Sequence, residues 1–146
     1  MVWWVLNVCR VCRLGFMQSR FPTVAIMITS ATYAGFALWI GLQPKALLNA
    51  FGIESNTPQM LTEIRAFYGG IELAIALVMI ILWKRGDLFA ALLIGGVPLA
   101  GSAFGRCFGM VIDGYSTIHL VFAVIEAIGS IVCLVGCNVV GKELSG

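Results

Sequence analysis

The most constraining feature of this sequence is a set of long stretches that carry no charge. Phe21 to Leu42 contains no charged residue, and neither does Leu88 to Gly105. A helix needs roughly 20 apolar residues to cross a hydrocarbon core about 30 Å thick. A chain of 146 residues has room for about four such crossings. The composition agrees, since 60% of the residues are hydrophobic and 11% are charged, whereas soluble domains have about 25% charged residues.

Turn signals divide the chain into four predicted membrane-spanning helices. Pro44 stops the first, Thr57 followed by Pro58 starts the second, and Gly86 and Gly114 lie in the turns that follow. The predicted spans are about residues 21–42, 58–83, 88–112 and 115–140, within a transmembrane domain of residues 21–146. Short connections predict an all-α, integral membrane, four-helix up-and-down bundle. Pro98 predicts a bend in the third span.

Two further segments are predicted to lie in the membrane interface. One is a short helix from Pro44 to Phe51, with its apolar side chains on one face. The other is residues 1–20, an amphipathic segment whose polar residues share one arc of a helical wheel. An alternative for this region is that translation begins at Met17. Cys9 and Cys12 match C-x-x-C, but no second pair completes a zinc site, so we expect no metal there.

The distribution of positive charge predicts the orientation. Lys and Arg are retained on the cytoplasmic side of membrane proteins. Only Lys45 falls on one side of the predicted bundle, so both termini are expected in the cytoplasm. The Lys and Arg residues on the other, cytoplasmic side are Arg10, Arg13, Arg20, Lys84, Arg85 and Lys142.

Ionisable residues within the spans are the informative ones for function. On insertion scales a charged side chain at the bilayer centre costs about 2.5–3.5 kcal/mol. Such residues face the interior and pair with one another, so we expect a buried Arg and Glu cluster. The residues concerned are Glu63, Arg65, Glu72, Arg106, His119 and Glu126.

Depth and facing predict which of these charges meet. At about 1.5 Å of rise per residue, Arg65 and Arg106 lie roughly 10 Å from the same membrane face. Glu72 and Glu126 lie deeper, each within reach of a guanidinium on a neighbouring helix. Arg65, Tyr68 and Glu72 share one stripe of the second span. We therefore expect both arginines to pair with a glutamate.

Other positions are predicted to be structural. Glu63 points away from Glu72 on an ideal helix and is expected to serve the helix start or the headgroup region. Asp113 precedes the last turn. Gly101, Gly105 and Gly109 form two overlapping G-x-x-x-G steps, which favour close packing within the bundle, with a homodimer face as the alternative.

The cluster has two interpretations. It can be an ion-pair network that fixes helix packing. It can also be a binding pocket in which Arg65, Tyr68, Glu72, Arg106 and Glu126 contact a ligand. In the second case Glu72, Glu126 or His119 is the candidate for moving a proton.

The strings Leu61 to Leu73 (LTEIRAFYGGIEL) and Gly101 to Arg106 (GSAFGR), followed by Asp113-Gly114, resemble the bacterial membrane family called domain of unknown function 4345. The similarity covers about residues 22–140; residues 1–20 depart from the family. The resemblance implies a four-helix protein of a bacterial inner membrane, distantly similar to the DoxX-like group, some of whose members are linked to quinone-dependent oxidation of sulfur compounds. The residues it singles out are Glu63, Arg65, Tyr68, Glu72, Arg106, Asp113 and Glu126.

Three functional hypotheses follow. The first is a non-enzymatic membrane protein that binds a lipid, a quinone or a similar amphiphile, or acts as an accessory subunit of a larger membrane complex or homo-oligomer. The second is an intramembrane enzyme that uses Glu and Arg acid–base chemistry on a hydrophobic substrate. Transport is weaker, since no internal repeat is evident. A net charge of +2 without a basic stripe excludes nucleic-acid binding.

Overall fold

The computed structural model describes residues 20–54 and 56–145 and confirms the predicted helical membrane fold. Four of its helices are long and apolar enough to span a membrane. The predicted interfacial segment of residues 1–20, apart from Arg20, lies outside the described residues, as do Cys9, Cys12 and Met17. The helices are α1 (Arg20–Leu42), α2 (Pro44–Ala50), α3 (Pro58–Lys84), α4 (Leu88–Asp113) and α5 (Thr117–Ser145).

Local side-chain bonds fix where two of these helices begin. The Thr57 hydroxyl accepts a hydrogen bond from the Met60 amide at 3.2 Å at the start of α3. The Asp87 carboxylate accepts one from the Ala90 amide at 3.0 Å at the start of α4. Each bond satisfies an amide that the first helical turn leaves without a backbone partner. Gly86 adopts a φ of +82° in the turn between the two helices, a conformation that glycine tolerates.

The four long helices form an up-and-down bundle in which neighbours in sequence are neighbours in space. α3 packs against α1 and α4, and α5 packs against α4 and α1. One end of the bundle, here called the basic end, carries Arg20, Lys84, Arg85 and Lys142. The other, here called the loop end, carries α2 and the turn at Gly114. Large apolar side chains such as Val111 are exposed on the outside, as a lipid-facing surface requires.

The densest packing lies in the half of the bundle nearer the basic end. Met79, Leu92 and Cys133 are fully buried there. A Cβ atom at Gly96 would come within 2.8 Å of the Cβ atom of Cys133, so α4 and α5 approach each other closely at this point. Glycine is therefore required by the packing of this half.

The short helix α2 packs against the loop end of the bundle. Leu47 and Leu48 are buried against Ile40 of α1 and Ile64 of α3. Their burial explains why the apolar residues of this segment lie on one face: they cover the end of the bundle. Lys45 remains exposed.

Pro98 lies inside α4 and leaves the helix without one amide donor. Nearby, the Tyr33 hydroxyl of α1 donates a hydrogen bond of 3.0 Å to the carbonyl of Gly95. A side chain of a neighbouring helix thus bonds the α4 backbone within one turn of the proline, which is how membrane helices accommodate proline.

Candidate functional site

A π-helical segment interrupts α3 at the level of the candidate site. Residues Arg65–Ile71 form i→i+5 bonds, whereas Pro58–Ile64 and Glu72–Lys84 are α-helical. Such segments are rare and frequently occur at functional sites. The wider turn changes the direction of every side chain that follows it relative to those before it, so the segment sets how the two halves of α3 face the bundle.

The π segment packs against α1, and residues of the same segment line a cavity between α3 and α4. A Cβ atom at Gly69 would come within 3.3 Å of the Gly41 Cα atom, which shows how closely the two backbones approach. The following part of α3, Glu72–Lys84, packs against both α1 and α4. The two helices α3 and α4 are thus joined near the basic end and are separated by a cleft toward the loop end.

The cleft consists of two chambers that share Tyr68 and Ser102. The deep chamber, of about 490 Å³, lies near the middle of the bundle, and the outer chamber, of about 480 Å³, lies toward the loop end. The deep chamber is lined by Tyr33, Glu63, Ile64, Phe67, Tyr68, Ile71, Glu72, Ile75, Pro98, Leu99, Ser102 and Glu126. The outer chamber is lined by Tyr68, Ser102, Gly105, Arg106, Gly109, Met110, Asp113, Gly114 and His119.

An ion pair between α4 and α5 forms the polar wall of the cleft. Arg106 Nε donates to both carboxylate oxygens of Glu126, each at 3.0 Å, and the Ser102 hydroxyl donates to Glu126 Oε1 at 2.8 Å. Both charged side chains are 13% exposed. The expected meeting of these two residues is therefore observed, but the pair is partly buried and not the fully buried pair that the sequence predicts, because its polar atoms line an open cleft.

Arg106 also contacts His119 and the aromatic ring of Phe122. Its Nη1 lies 3.1 Å from His119 Nδ1, and its guanidinium carbon lies 4.9 Å from the centre of the Phe122 ring. The His119 ring stacks on Phe51, with 4.8 Å between the ring centres. Guanidinium groups are attracted to aromatic faces at such distances. The contact between Arg106 and His119, the Phe122 ring against Arg106 and the Phe51 ring against His119 together hold the two side chains in place.

Glu72 lines the deep chamber and, like Glu63 in the same chamber, has no ion-pair partner among the described residues. It forms neither a hydrogen bond nor a salt bridge with the residues that the structure describes. It is only partly exposed, and in the described part of the chain no side-chain nitrogen or oxygen is both buried and unbonded. The Glu72 oxygens therefore keep accessible surface in the chamber that they line.

The expectation that Arg65 pairs with a glutamate is wrong. Arg65 is exposed, and its Nε donates to the carbonyl of Gly41 at 3.2 Å. Arg65 is the first residue of the π segment, whereas Glu72 follows it. The ideal α-helical stripe that placed Arg65 with Tyr68 and Glu72 does not continue through this segment, so Arg65 points elsewhere.

The expected position of Glu63 is wrong for the same reason. On an uninterrupted α-helix Glu63 and Glu72 would face opposite directions, but both line the deep chamber. The i→i+5 bonding between them adds residues to each turn and brings the two carboxylates toward one side.

The expected close packing of the G-x-x-x-G steps of α4 within the bundle is also wrong, whereas the alternative, a homodimer face, stays a prediction. A Cβ atom at Gly101 or Gly105 would have nothing within 4 Å, and at Gly109 it would meet only the Asp113 side chain, at 3.8 Å. Gly105 and Gly109 instead line the outer chamber. The G-x-x-x-G spacing indicates where the backbone of α4 is accessible, but it cannot show that a cavity lies beside Gly105 and Gly109.

Several site residues were missed by the sequence analysis. Tyr33 lines the deep chamber from α1, and Phe51 and Phe122 surround Arg106 and His119. All three are apolar or aromatic residues among many in an apolar chain, so nothing in their spacing distinguishes them. The pair Gly69-Gly70 is the one sequence signal that could have indicated an irregular turn in α3.

Comparisons with known proteins identify one family. The sequence profile of one family, described as a domain of unknown function (DUF4345), matches residues 21–137, from the start of α1 to within α5. No curated protein and no solved structure matches the chain. The matched region contains all of the cleft-lining residues described above. The chain is therefore a member of the family of domain of unknown function 4345.

Proposed function

We propose that this membrane protein binds an amphiphile in the cleft between α3 and α4. The observation that carries the proposal is the unequal lining of the two chambers: around the carboxyl groups of Glu63, Glu72 and Glu126 the deep one is mostly aliphatic and aromatic. The outer one has few apolar side chains and contains Arg106, His119 and Asp113. Ligand pockets are typically about 300–1,000 Å³, mostly apolar, with a few placed polar groups. Each chamber is within that range.

The direction of the cleft supports an amphiphile over a fully apolar or fully polar ligand. The deep chamber lies beside Pro98, near the middle of α4, and the outer chamber extends to Gly114, where α4 ends. A bound molecule would hold its apolar part at the centre of the bilayer and its polar part toward one face. Membrane lipids have this orientation, and so do other long-chain amphiphiles.

Two matched glycine variants test the proposal. Gly105→Leu places a side chain in the outer chamber without removing a polar group, and Gly101→Leu makes the same change on the same helix outside both chambers. Neither added Cβ atom meets a neighbour. Native mass spectrometry of the purified full chain should find a copurified amphiphile on the wild type and on Gly101→Leu, and less on Gly105→Leu. Equal occupancy of the two folded variants would contradict the proposal.

Acid–base chemistry on the bound amphiphile is a second candidate function. Glu72 favours it, because a carboxyl group without a partner beside an apolar chamber is a possible general base or acid. The test incubates a bacterial lipid extract with the wild type and with Glu72→Gln. An enzyme forms a product, seen by mass spectrometry, that the folded variant does not form. A product made equally by both would exclude Glu72 from the chemistry.

We also propose that the protein lies in a bacterial inner membrane with its basic end toward the cytoplasm. The positive charges of Arg20, Lys84 and Arg85 at that end support this orientation. A C-terminal fusion to green fluorescent protein should be fluorescent in bacteria, whereas a C-terminal alkaline phosphatase fusion should be inactive. The reverse pattern would invert the topology.

A further inference from the structure

The deep chamber is open toward the outside of the bundle, between α3 and α4. Phe67 and Ile71 line it from α3, and 58% and 50% of their surfaces are exposed. Pro98 and Ser102 line it from α4 and are exposed as well. The walls of a closed cavity consist of buried residues, whereas here both helices contribute exposed ones. The chamber therefore reaches the outer surface of the protein between these four residues.

The outer chamber opens along the same side of α4. Ser102 lines both chambers, and Gly105, which follows it by about one turn and lines the outer chamber, is exposed too. The exposed Gly114 lines the outer chamber at the loop end. The two openings therefore form one continuous gap, here called the lateral slit. Its borders are Phe67 and Ile71 on α3 and Pro98, Ser102 and Gly105 on α4.

The deep part of the lateral slit lies at the level of the hydrocarbon core. At about 1.5 Å of rise per residue, Phe67 lies roughly 13 Å from the start of α3 at the loop end. Pro98 lies roughly 22 Å from the end of α4 on the same side. The core is about 30 Å thick and contains no water. Molecules dissolved in the membrane reach this part of the slit, whereas molecules in water do not.

The border of this deep part is apolar. Phe67, Ile71 and Pro98 have no hydrogen-bonding group in their side chains. Lipid tails are as apolar as such side chains, so an acyl chain can pass between them without removing water from a polar group. The border therefore suits a hydrocarbon chain.

The carboxyl groups of the deep chamber do not form this border. Glu72 is less exposed than Phe67 and Ile71, and Glu126 lies on α5, in the ion pair behind the cleft. Glu63 lies roughly 7 Å from the start of α3, close to the headgroup region of the membrane. A chain that enters from the side thus meets the apolar border first.

Entry from the side also keeps a polar headgroup out of the hydrocarbon. On insertion scales, a charged group at the centre of the bilayer costs about 2.5–3.5 kcal/mol. The outer chamber extends to Gly114, where α4 ends, so it lies nearer to the headgroups of the membrane leaflet at the loop end. An amphiphile that moves parallel to the membrane plane keeps its polar end at that level throughout.

We infer that the ligand is a lipid of the surrounding bilayer, which enters the cleft through the lateral slit and places one acyl chain in the deep chamber. The inference rests on the proposed amphiphile binding and adds the source of the ligand and its route. The leaflet at the loop end supplies the lipid. The polar end lies in the outer chamber, in agreement with the proposed function.

Photocrosslinking in intact membranes tests the inference. Bacteria that express the full chain are grown with a palmitic acid that carries a diazirine near the middle of its chain, so that it is built into their membrane lipids. After irradiation, mass spectrometry of peptides maps the crosslinks. Tyr33 of α1 lines the deep chamber and is 7% exposed, so a lipid outside the bundle does not contact it. Ile28 of the same helix is 63% exposed and reports the surrounding lipid.

We expect crosslinks on both residues, with the mass of an intact two-chain lipid. Such a lipid does not leave the bilayer readily, so its crosslink to Tyr33 requires a route from the side. An adduct on Tyr33 with the mass of the free fatty acid alone would overturn the inference, because a fatty acid also reaches the cleft through water.

A pair of variants on α3 locates the route. Ile71→Trp enlarges a side chain at the border of the lateral slit, and Leu77→Trp makes a similar change at a position that is 56% exposed and lies outside both chambers. The ratio of the Tyr33 crosslink to the Ile28 crosslink should fall about fivefold or more in Ile71→Trp, the lower end of the effect of crowding an occupied space. It should not change in Leu77→Trp. If Ile71→Trp does not fold, the adduct on wild-type Tyr33 decides.

The outcomes separate this inference from the proposed function. Crosslinks on Ile28 without any on Tyr33 would overturn the inference, and so would an equal ratio in folded Ile71→Trp and Leu77→Trp. Amphiphile binding would stand in either case if Gly105→Leu still carries less copurified amphiphile than Gly101→Leu. Absence of the Tyr33 crosslink together with equal copurified amphiphile on those two glycine variants would overturn both.

Discussion

The two halves of α4 differ in what surrounds their glycines. Toward the basic end, a Cβ atom at Gly96 would lie 2.8 Å from the Cβ atom of Cys133, whereas at Gly101 or Gly105 it would have nothing within 4 Å. One half is packed for close helix contact, whereas in the other half Gly105 borders the cleft and Gly101 lies outside it. The comparison teaches that a run of glycines on one helix can have two physical roles, because α3 packs against α4 near the basic end and separates from it toward the loop end.

The largest effect is expected from the same substitution in each half. Gly96→Leu forces side-chain atoms against Cys133 and should lower the free energy of unfolding by about 3 kcal/mol, as overpacking does. Gly101→Leu has open space and replaces glycine with a better helix former, so stability should be unchanged or higher by up to about 1 kcal/mol. Thermal denaturation in detergent, followed by circular dichroism, measures both. Equal loss in both variants would remove the distinction between the halves.

A smaller effect is expected from the two arginines of the cleft half. Arg106→Met breaks a partly buried pair and leaves Glu126 with Ser102 alone, which should cost about 1.5–3 kcal/mol. Arg65→Met removes one exposed bond to the Gly41 carbonyl and should cost no more than about 1 kcal/mol. The same denaturation experiment ranks them.

A double variant sharpens that comparison. Arg106→Met combined with Glu126→Leu should cost less than the sum of the two single changes, since no unpaired charge remains. Additive costs would show that the two residues do not stabilise each other, contrary to their 3.0 Å contact.

The smallest loss of stability is expected from a change near Pro98, where the two halves of α4 meet. Tyr33→Phe removes the hydrogen bond to the Gly95 carbonyl and should lower the free energy of unfolding by about 1 kcal/mol. Tyr115→Phe is the matched control, because Tyr115 is 71% exposed and should be insensitive. Equal stability of Tyr33→Phe and the control would mean that this bond does not support α4 near Pro98.

Sequence patterns predict the long helices well, because their signal is the sum of many residues. The start of α3 at Pro58 also follows from a local rule, since Thr57 caps it. The pair of Arg106 and Glu126 could be anticipated because α4 and α5 are regular helices that are adjacent in the chain. In these cases the constant rise and rotation per residue of a regular α-helix are enough to place the residues.

The rest of the candidate site could not be predicted because it depends on departures from regularity. Arg65 and Glu63 were placed by assuming a uniform α-helix through the π segment. The prediction of helix packing at Gly101 and Gly105 is wrong because the spacing of glycines cannot show whether a neighbouring helix lies opposite them. Tyr33 reaches the cleft from α1, which has no charged residue after Arg20 that could indicate a site.

Because of the π segment of α3, the set of side chains that line the cleft depends on the number of residues in this segment as well as on their identity. Each residue of an α-helix contributes about 100° of rotation. Deleting one residue from Arg65–Ile71 would let the segment relax into an ordinary helix and swing Glu63 away from Glu72, although every cleft residue would still be present. A variant that is one residue shorter here is therefore expected to keep the same set of polar side chains but to hold the two carboxylates on different sides of the helix.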